Sequence, residues 1–504
     1  MSPKLPDAAM FRARYESGIP QLLWTTTVSD LETPVSAFLK LAAGRPNSVL
    51  LESVEGGAAR GRYSIIMLDP DLVWRARGDR AEVNRFALTD PNGWREEPDG
   101  ALASLRRLLA ESRVEVPTGL PPMSAGVVGY LAYDFVRRIE RIPETNPDPL
   151  GLPDGILMRP TIVAVFDTVA DTLTFATTVR PQPGIDAETA RAAAEARLAA
   201  AAAAMARPLP PPPAAPASPP DLGAVRSNMT KEQYKAAVAK AVEYIHAGDA
   251  FQIVPSQRFA VPFALPPFAL YRSLRRLNPS PFLFFLDFGG FAIVGSSPEI
   301  MVRLREGTVT IRPLAGTRPR GATHEEDLRL EQDLLNDPKE RAEHLMLLDL
   351  GRNDVGRVAA IGTVRVKEKF TIERYSHVMH ISSHVEGRLR PGLDAVDALM
   401  AGFPAGTLSG APKVRAMEII EELEPERRGI YGGCIGYFAA GGDMDTCIAL
   451  RTAVVKDGTM YVQAGAGVVA DSDPETEYQE TVHKARALIR AAEEAVRFAA
   501  GAGR

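Results

Sequence analysis

Two periods of apolar residues follow one another in the C-terminal part of the chain. Apolar β-formers flank Asp457 and Gly458 in CIALRTAVVKDGTMYVQAGAGVV, which predicts a hairpin. The next segment, DPETEYQETVHKARALIRAAEEAV, has apolar positions three to four apart after a proline, which predicts a helix. The hairpin places Arg451 in mid-strand, and its second strand ends in a loop with Gly465 and Gly467. Because burying an unpaired charge is costly, we expect a ligand to meet this arginine.

Two predicted helices each carry a pair of glutamates three residues apart. Glu477 and Glu480 share a face of the C-terminal helix, and Glu340 and Glu343 lie in a second helical pattern, DPKERAEHLMLLDLGRND. One such pair alone is typical of a solvated helix face. Two pairs that face each other would form a site for a hard cation such as Mg²⁺, which prefers oxygen ligands and keeps several waters.

Other patterns predict the elements around this region. TKEQYKAAVAKAVEYIHAG predicts an amphipathic helix that opens with a capping box of Thr230 and Gln233. FLFFLDF with FAIVG, and MVRLR with TVTIRP, predict two further hairpins. Leu345 is expected to supply an apolar neighbour to the acidic helix. Hairpins and helices without βαβ alternation favour an α+β fold over a doubly wound sheet.

A tract rich in alanine and proline divides the chain. RLAAAAAAMARPLPPPPAAPASPPDLGA continues a helix and then becomes a polyproline-type spacer, which cannot build a core. We predict one domain over 20–205, a linker over 206–226 and a second domain over 227–495. The chain has 504 residues, 45% of them hydrophobic and 24% charged, which is enough to bury the cores of two domains.

Charge and cysteine content exclude several classes of protein. A net charge of −5 without a basic stripe argues against nucleic-acid or anionic-membrane partners. The N-terminal sequence lacks the apolar stretch of a signal peptide, and no apolar run reaches the roughly eighteen residues needed to span a bilayer. Cys434 and Cys447 match no metal-binding spacing and are predicted to lie in the core. We expect a protein of the reducing cytoplasm.

Six motifs of the C-terminal part are highly specific in combination. They are GDAFQIVPSQRF, GSSPE, PLAGTRPRG, DPKERAEHLMLLDLGRNDVGRVA, FPAGTLSGAPK and AGAGVVADSDPETEYQET. Through them the chain, from about Leu50 to Leu488, resembles component I of anthranilate synthases. The resemblance implies conversion of chorismate and ammonia to anthranilate and pyruvate with Mg²⁺, the first committed step of tryptophan biosynthesis. It also implies two domains whose large antiparallel sheets, flanked by helices, enclose the active site.

This resemblance makes the two acidic pairs a metal site. Glu343 and Glu480 would bind Mg²⁺ directly, with Glu340 and Glu477 assisting directly or through water, and the ion would hold the ring carboxylate of chorismate. Such an ion also stabilises charge as double bonds shift. Lys484 matches a lysine beside this cluster and is counted with the catalytic residues.

Other matching positions bind the substrate. Arg451 and Tyr431 would grip the enolpyruvyl carboxylate, a task that suits the guanidinium fork. For Arg451 the alternative is a structural ion pair inside a sheet. Gly465 and Gly467 let backbone N–H groups approach an anion because no Cβ intervenes. Gln252 is also counted with the substrate-binding residues.

Two positions separate this interpretation from sibling enzymes. Ala315 stands where aminodeoxychorismate synthases usually carry a nucleophilic lysine. Gln252 stands where water-adding isochorismate and salicylate synthases usually carry a lysine that activates water. Both differences favour addition of ammonia followed by elimination.

Acid–base roles follow from the same resemblance. Glu299 in GSSPE matches a general acid for the departing hydroxyl, with a backbone cap as its alternative. His380 matches the histidine that orients substrate and assists proton removal; groups of this kind contribute roughly 10²- to 10⁴-fold. Thr407 precedes a helix opened by proline, whose start favours anions, and a simple loop cap is its alternative. A zinc site of His377, His380 and His384 is disfavoured because VMHISSHV is rich in β-formers.

The N-terminal part matches motifs for feedback control by L-tryptophan. LLES contains Glu52 and Ser53, and NPSPFLFF contains Pro281, Phe282 and Leu283. Phe282 replaces the usual tyrosine and Leu283 the usual methionine, so the apolar wall is kept while a hydroxyl is lost. The alternative is a strand and a turn of the core.

The sequence has no glutaminase motif, since neither cysteine stands on a glycine-flanked elbow followed by a histidine pair. The resemblance therefore implies ammonia from a separate glutamine amidotransferase subunit, component II, which docks near the active site of a hetero-oligomer. An alternative of another class is a tryptophan-binding regulatory subunit without catalysis.

Overall fold

The computed structural model of the chain describes residues 7–55, 59–210, 222–375 and 378–500. The helices within these ranges are α1 Ala8–Glu16, α2 Pro34–Ala42, α3 Ala101–Glu111, α4 Ala187–Met205, α5 Lys231–His246, α6 Pro267–Leu277, α7 His324–Asn336, α8 Pro338–Val358, α9 Ala395–Gly402, α10 Gly406–Ser409, α11 Lys413–Leu423 and α12 Pro474–Ala499, with short 3₁₀-helices at Pro122–Ser124 and Tyr133–Arg138. The strands are β1 Gln21–Val28, β2 Ser48–Glu55, β3 Ala59–Arg77, β4 Arg80–Asn84, β5 Trp94–Glu96, β6 Gly126–Leu131, β7 Gly155–Asp167, β8 Thr172–Val179, β9 Arg226–Ser227, β10 Gln252–Ile253, β11 Ser256–Pro262, β12 Phe282–Asp287, β13 Phe291–Ser297, β14 Ile300–Arg305, β15 Thr308–Ile311, β16 Leu314–Pro319, β17 Arg365–Arg374, β18 Val378–Arg388, β19 Gly410–Ala411, β20 Cys434–Ala439, β21 Met444–Ile448, β22 Thr452–Lys456 and β23 Thr459–Gly465.

The strands form an extensive antiparallel network. Across the described ranges, 21 strands are linked by hydrogen bonds, and β10 pairs separately with β19. Each strand pairing within those ranges is antiparallel. Helices such as α6 and α12 pack on the sheet, so the predicted α+β class with large antiparallel sheets is confirmed.

Strands from the two parts of the chain pair directly. Leu51 of β2 lies opposite Phe284 of β12, and Val128 of β6 lies opposite Tyr437 of β20. Apolar side chains from both parts share the same cores, which removes more apolar surface from water than either part would alone. The domain boundaries drawn from the sequence stay a prediction.

Several local predictions are confirmed. Thr230 and Gln233 form the reciprocal capping box of α5, and the hairpins β12–β13, β14–β15 and β22–β23 are present. The C-terminal helix α12 begins after Asp473, whose side chain caps the Thr476 N–H. Cys434 and Cys447 are free and buried, as expected. Over the described part of the chain, no helix combines the length and apolar character needed to cross a membrane.

The predicted orientation of Leu345 is wrong. It is 52% exposed, whereas α8 buries His344, Leu347, Leu348 and Gly351. These buried positions recur every three to four residues, so they form one face of the helix, and Leu345 lies off it. Because one position of this buried face is a polar histidine, the apolar period of α8 could not be recognised in the sequence.

A buried ion pair joins segments that are distant in the sequence. Arg428 and Glu424 have side-chain exposures of 1% and 3% and form a bidentate pair, with Nη2 to Oε1 at 2.6 Å and Nε to Oε2 at 3.0 Å. The same guanidinium donates to the carbonyls of Leu408 and Val254, each at 2.5 Å. Glu424 also accepts from the backbone N–H of Ser256 at 2.7 Å. The pair therefore connects its own segment with the backbone at Val254 and Ser256 and with the backbone at Leu408.

We expect Arg428→Met to destabilise the protein strongly. The substitution leaves a buried carboxylate and two buried carbonyls without their donor, a loss of about 3–5 kcal/mol for a broken buried pair. Thermal and urea unfolding midpoints measure the effect. Arg352→Met is the matched control, since it breaks an ion pair with Asp349 that is exposed on α8. Equal midpoints for the two variants would contradict the role given to Arg428.

Candidate active site

Glu299 lies in the short connection between β13 and β14, and it is buried. Its Oε1 accepts a hydrogen bond from the Thr407 hydroxyl of α10 at 2.8 Å. Burial raises the pKa of Glu299 to about 7, against the lowering effect of this hydrogen bond. The carboxyl group is therefore partly protonated near neutral pH and can donate a proton.

His380 lies in β18 and is buried as a neutral ring. Burial, together with the positive charge of Arg451, lowers its pKa to about 4. Its Nδ1 is 2.9 Å from the carbonyl oxygen of Gly316, which can only accept, so Nδ1 carries the proton. The buried Nε2 has no hydrogen-bond partner among the described residues. Its lone pair is therefore available to take a proton.

Arg451 does not lie in mid-strand as the sequence predicted. It precedes β22 with φ of 48°, in the left-handed region, and its carbonyl accepts from the Ser296 N–H at 3.1 Å. The backbone of Arg451 therefore lies outside the β22–β23 ladder. No described residue holds the guanidinium by a hydrogen bond or ion pair, so the sheet ion pair considered above is not observed there. Burial lowers the pKa of Arg451, while Tyr375 and Glu299 act in the opposite direction.

The glycine loop after β23 is surrounded by the other predicted binding residues. Strand β23 ends at Gly465, as predicted, and the Gly465 carbonyl accepts from Lys484 Nζ at 3.0 Å. A Cβ at Gly465 would lie 2.9 Å from the Tyr431 hydroxyl, and one at Gly467 would lie 2.5 Å from Gln252 Nε2. Position 465 requires glycine, because a Cβ there would also lie 2.9 Å from the backbone carbonyl oxygen of Pro255, whereas at position 467 only the flexible end of Gln252 would have to move. Gln252 Oε1 is buried without a described partner.

The two acidic helices bring their glutamates together. Burial raises the pKa of Glu343 on α8, and the charges of Glu340 and of Glu480 on α12 raise it further. Burial and Glu480 also raise the pKa of Glu477. Lys484 forms an ion pair with Glu480 at 2.6 Å, which offsets part of the repulsion. The four carboxylates therefore act on one another across the gap between α8 and α12.

This donor set fits Mg²⁺. A hard cation prefers carboxylate oxygens and would relieve their mutual repulsion. As the described side chains stand, no three His, Cys, Asp or Glu groups converge on one ion. Waters and substrate oxygens would complete its octahedral shell, as Mg²⁺ usually requires. At present Glu343 accepts a long hydrogen bond of 3.4 Å from Gln252, and Glu340 accepts one of 3.0 Å from Arg318.

The two described histidines of the zinc hypothesis cannot share one ion. His380 and His384 lie four residues apart in β18, a separation of about 13 Å along a strand, which is too far for one ion. The third histidine of the sequence hypothesis, His377, lies outside the described residues.

A cavity of about 490 Å³ includes most of the predicted tryptophan residues. Glu52, Ser53, Phe282 and Leu283 line it, together with Asp445, whose Oδ1 is buried without a described partner. The carboxylate of Glu52 is already engaged, because Arg275 binds it at 2.6 and 2.8 Å and Tyr271 donates to it. Glu52 therefore shapes the wall of this cavity.

A second cavity of about 570 Å³ lies next to the first. Ser53, Phe282 and Arg303 line both cavities, and Pro281 lines only the second. Tyr375, also in its wall, contacts the edge of the His380 ring, with centroids 5.5 Å apart. Sequence reasoning missed Tyr375 and Asp445. The only signal for Tyr375 was its place in RYSHVMH, close to the chosen histidine.

The comparisons with known proteins agree with this fold. A family model described as chorismate binding enzyme matches residues 63–490, so the chain belongs to this family. Anthranilate synthase component 1 of Cereibacter sphaeroides is 59% identical over 499 residues, 98% of each chain. That of Pseudomonas putida is 50% identical over 475 residues, 92% of this chain and 94% of the relative. The resemblance to component I drawn from the motifs is thereby confirmed.

Solved structures give the same result. Anthranilate synthase component I from Streptococcus pneumoniae superposes with a TM-score of 0.74 at 37% identity, covering 85% of this chain and 92% of that chain. The menaquinone-specific isochorismate synthase from Escherichia coli reaches a TM-score of 0.69 at 19% identity, covering 96% of this chain and 100% of that chain. The second likeness shows a shared fold.

We expect Thr407→Ala to raise the pKa of Glu299 above about 7. The threonine donates to the charged carboxylate, so its loss disfavours ionisation, and the acid form persists to higher pH. The pH titration of the carboxylic-acid infrared band, assigned by its loss in Glu299→Gln, measures the shift. Thr145→Ala, which removes a hydroxyl beside Glu421, is the control. A titration that stays in place or moves to lower pH would contradict this.

Proposed function

We propose that this chain is the aminase subunit of an anthranilate synthase, which converts chorismate and ammonia to anthranilate and pyruvate. One observation carries the proposal. A protonatable acid, Glu299, and a neutral base, His380, lie within electrostatic range of the same unengaged guanidinium, that of Arg451. An acid, a base and an anion-binding group are what this reaction needs, and the similarity to component 1 proteins supports the choice of substrate.

Each group has a place in the chemistry. Arg451, with Tyr431 beside the glycine loop, binds the enolpyruvyl carboxylate and orients the ring. Glu299 gives its proton to the ring hydroxyl, which leaves as water while ammonia adds. His380, whose Nε2 has no described hydrogen-bond partner, takes the ring proton as pyruvate leaves and the ring becomes aromatic. Proton transfers of this kind contribute roughly 10²- to 10⁴-fold each.

The acidic helices supply the cation site of this proposal. Glu343 and Glu480 would hold Mg²⁺, with Glu340 and Glu477 assisting directly or through water. The bound ion supplies Lewis-acid stabilisation of the ring carboxylate. Lys484 binds both Glu480 and the Gly465 carbonyl, and so holds these two groups beside that site.

Two buried positions favour addition of ammonia over sibling reactions. Ala315 is buried in β16 and offers no amine that could attack the ring. Gln252 is buried beside Glu343 and cannot act as the base that would activate water. Ammonia is itself a good nucleophile, so it does not need that base.

The source of ammonia is a second subunit in this proposal. The name component 1, carried by the similar proteins, implies a companion subunit. We propose a glutamine amidotransferase that docks near the active site in a hetero-oligomer, and feedback inhibition by L-tryptophan in the cavity lined by Ser53 and Phe282.

The first test is the reaction of the purified chain with chorismate, ammonium and Mg²⁺ at mildly alkaline pH. We expect anthranilate fluorescence and pyruvate in equal amounts, and loss of both when EDTA removes the metal. Glu480→Gln should raise the Mg²⁺ requirement roughly hundredfold, because it removes a charged ligand. Glu493→Gln, on the exposed face of the same helix, is the control. Chorismate loss without anthranilate would favour a sibling reaction, and no turnover would favour the regulatory alternative.

We expect Ser53→Arg to abolish tryptophan inhibition while anthranilate formation from ammonium continues. Ser53 lines the 490 Å³ cavity, and a long charged side chain there would fill the space that the inhibitor needs. Inhibition curves with and without tryptophan measure the effect. Ser17→Arg adds the same charge at an exposed site and is the control. Unchanged inhibition in Ser53→Arg would place the inhibitor elsewhere.

A further inference from the structure

Tyr375 lies at the turn between β17 and β18, next to the proposed base. Its backbone N–H donates to the Val378 carbonyl at 2.8 Å, and the residue is only 6% exposed. Its ring meets the ring of His380 edge-on, with centroids 5.5 Å apart and planes inclined by 62°. This geometry is favourable for aromatic pairs and limits rotation of the imidazole.

The hydroxyl of Tyr375 is fixed by a carboxylate. It donates to Glu373 Oε2 at 2.8 Å, and Glu373 Oε1 pairs with Arg312 Nη1 at 3.1 Å. Glu373 is also the cross-strand partner of His380 in the β17–β18 ladder. The three side chains Tyr375, Glu373 and Arg312 therefore form a connected unit, which we call the tyrosine brace.

The tyrosine brace forms part of the wall of the 570 Å³ cavity. Tyr375, Glu373 and Arg312 all line this cavity, whereas His380 does not. Burial raises the pKa of Tyr375, so its hydroxyl stays neutral and keeps its proton for Glu373. The brace therefore connects the wall of this cavity with His380, whose ring it contacts.

We propose that Tyr375 is a positioning residue for the reaction proposed above, because its ring, held by the bond of its hydroxyl to Glu373, fixes the imidazole of His380. The two contacts of the side chain are separable, because the ring contacts the imidazole and only the hydroxyl contacts Glu373. This inference rests on the proposed function, since it assigns the supported imidazole to proton transfer.

The test separates the ring from the hydroxyl. Tyr375→Phe keeps the ring and removes the bond to Glu373, so we expect kcat to fall by about threefold at most. Tyr375→Leu removes the ring as well, so kcat should fall by roughly ten- to a hundredfold through misplacement of His380, with KM for chorismate within about twofold. A purely structural role would lower the amount of folded protein without this fall in kcat at constant KM.

A matched control removes the same kind of bond elsewhere. The hydroxyl of Tyr244 on α5 donates to Glu422 at 2.8 Å, so Tyr244→Phe should leave kcat and KM unchanged. The conservative variant Glu373→Gln keeps an acceptor for Tyr375 and should retain a higher kcat than Glu373→Ala. Circular dichroism and thermal midpoints verify that each variant is folded.

The outcomes distinguish this inference from the proposed function. If the wild-type chain forms anthranilate but Tyr375→Leu has wild-type kcat and KM, the positioning role is wrong and the proposed function stands. If the wild-type chain forms none, the proposed function fails, and the NMR resonances of the His380 imidazole, assigned by their loss in His380→Gln, then decide the positioning role. Broadened or doubled resonances in Tyr375→Leu would support the role, and resonances as sharp as those of the wild type would overturn it.

Discussion

The candidate active site depends on the buried pair of Arg428 and Glu424. Its guanidinium holds the carbonyl next to Thr407 and the backbone that leads from Gln252 into β11. The same cation lies over the rings of Tyr133 and Tyr431, 4.7 and 5.6 Å from their centroids. Buried ion pairs rarely add net stability over apolar packing, but they specify one arrangement, because any other leaves charges unpaired. The pair fixes how loops from distant parts of the chain meet.

Within that frame, burial sets the chemical state of the functional groups. It raises the pKa of Glu299 and lowers that of His380, so at neutral pH the acid can hold a proton and the base can accept one. The unengaged Arg451 and the clustered glutamates carry a cost in the free protein. Well-satisfied surroundings, such as the capped α5 and α12, offset that cost. These groups therefore lower the stability of the free protein and are stabilised when a ligand binds.

Local sequence patterns predicted those structural features that depend on residues close together in the sequence. The capping box of α5, the turn after Lys456 and the end of β23 at Gly465 all depend on neighbours in sequence, and each is present. The acidic pairs could be assigned to helices, but not to a shared space, because that depends on how α8 and α12 pack. Arg451 was misplaced since its flanks continue the strand pattern through a left-handed residue. Tyr375 and the partners of Glu52 lie outside any period or motif.

The pairing of β2 with β12 has a consequence for synthesis in the cell. Leu51 and Phe284 are neighbours in the sheet although they are roughly 230 positions apart in the sequence. At about 5–20 residues per second, β2 leaves the ribosome roughly ten to fifty seconds before its partner exists. During that interval one edge of an apolar strand offers unpaired N–H and C=O groups to other chains. We therefore expect the yield of folded protein to depend on how long this edge stays unpaired during translation.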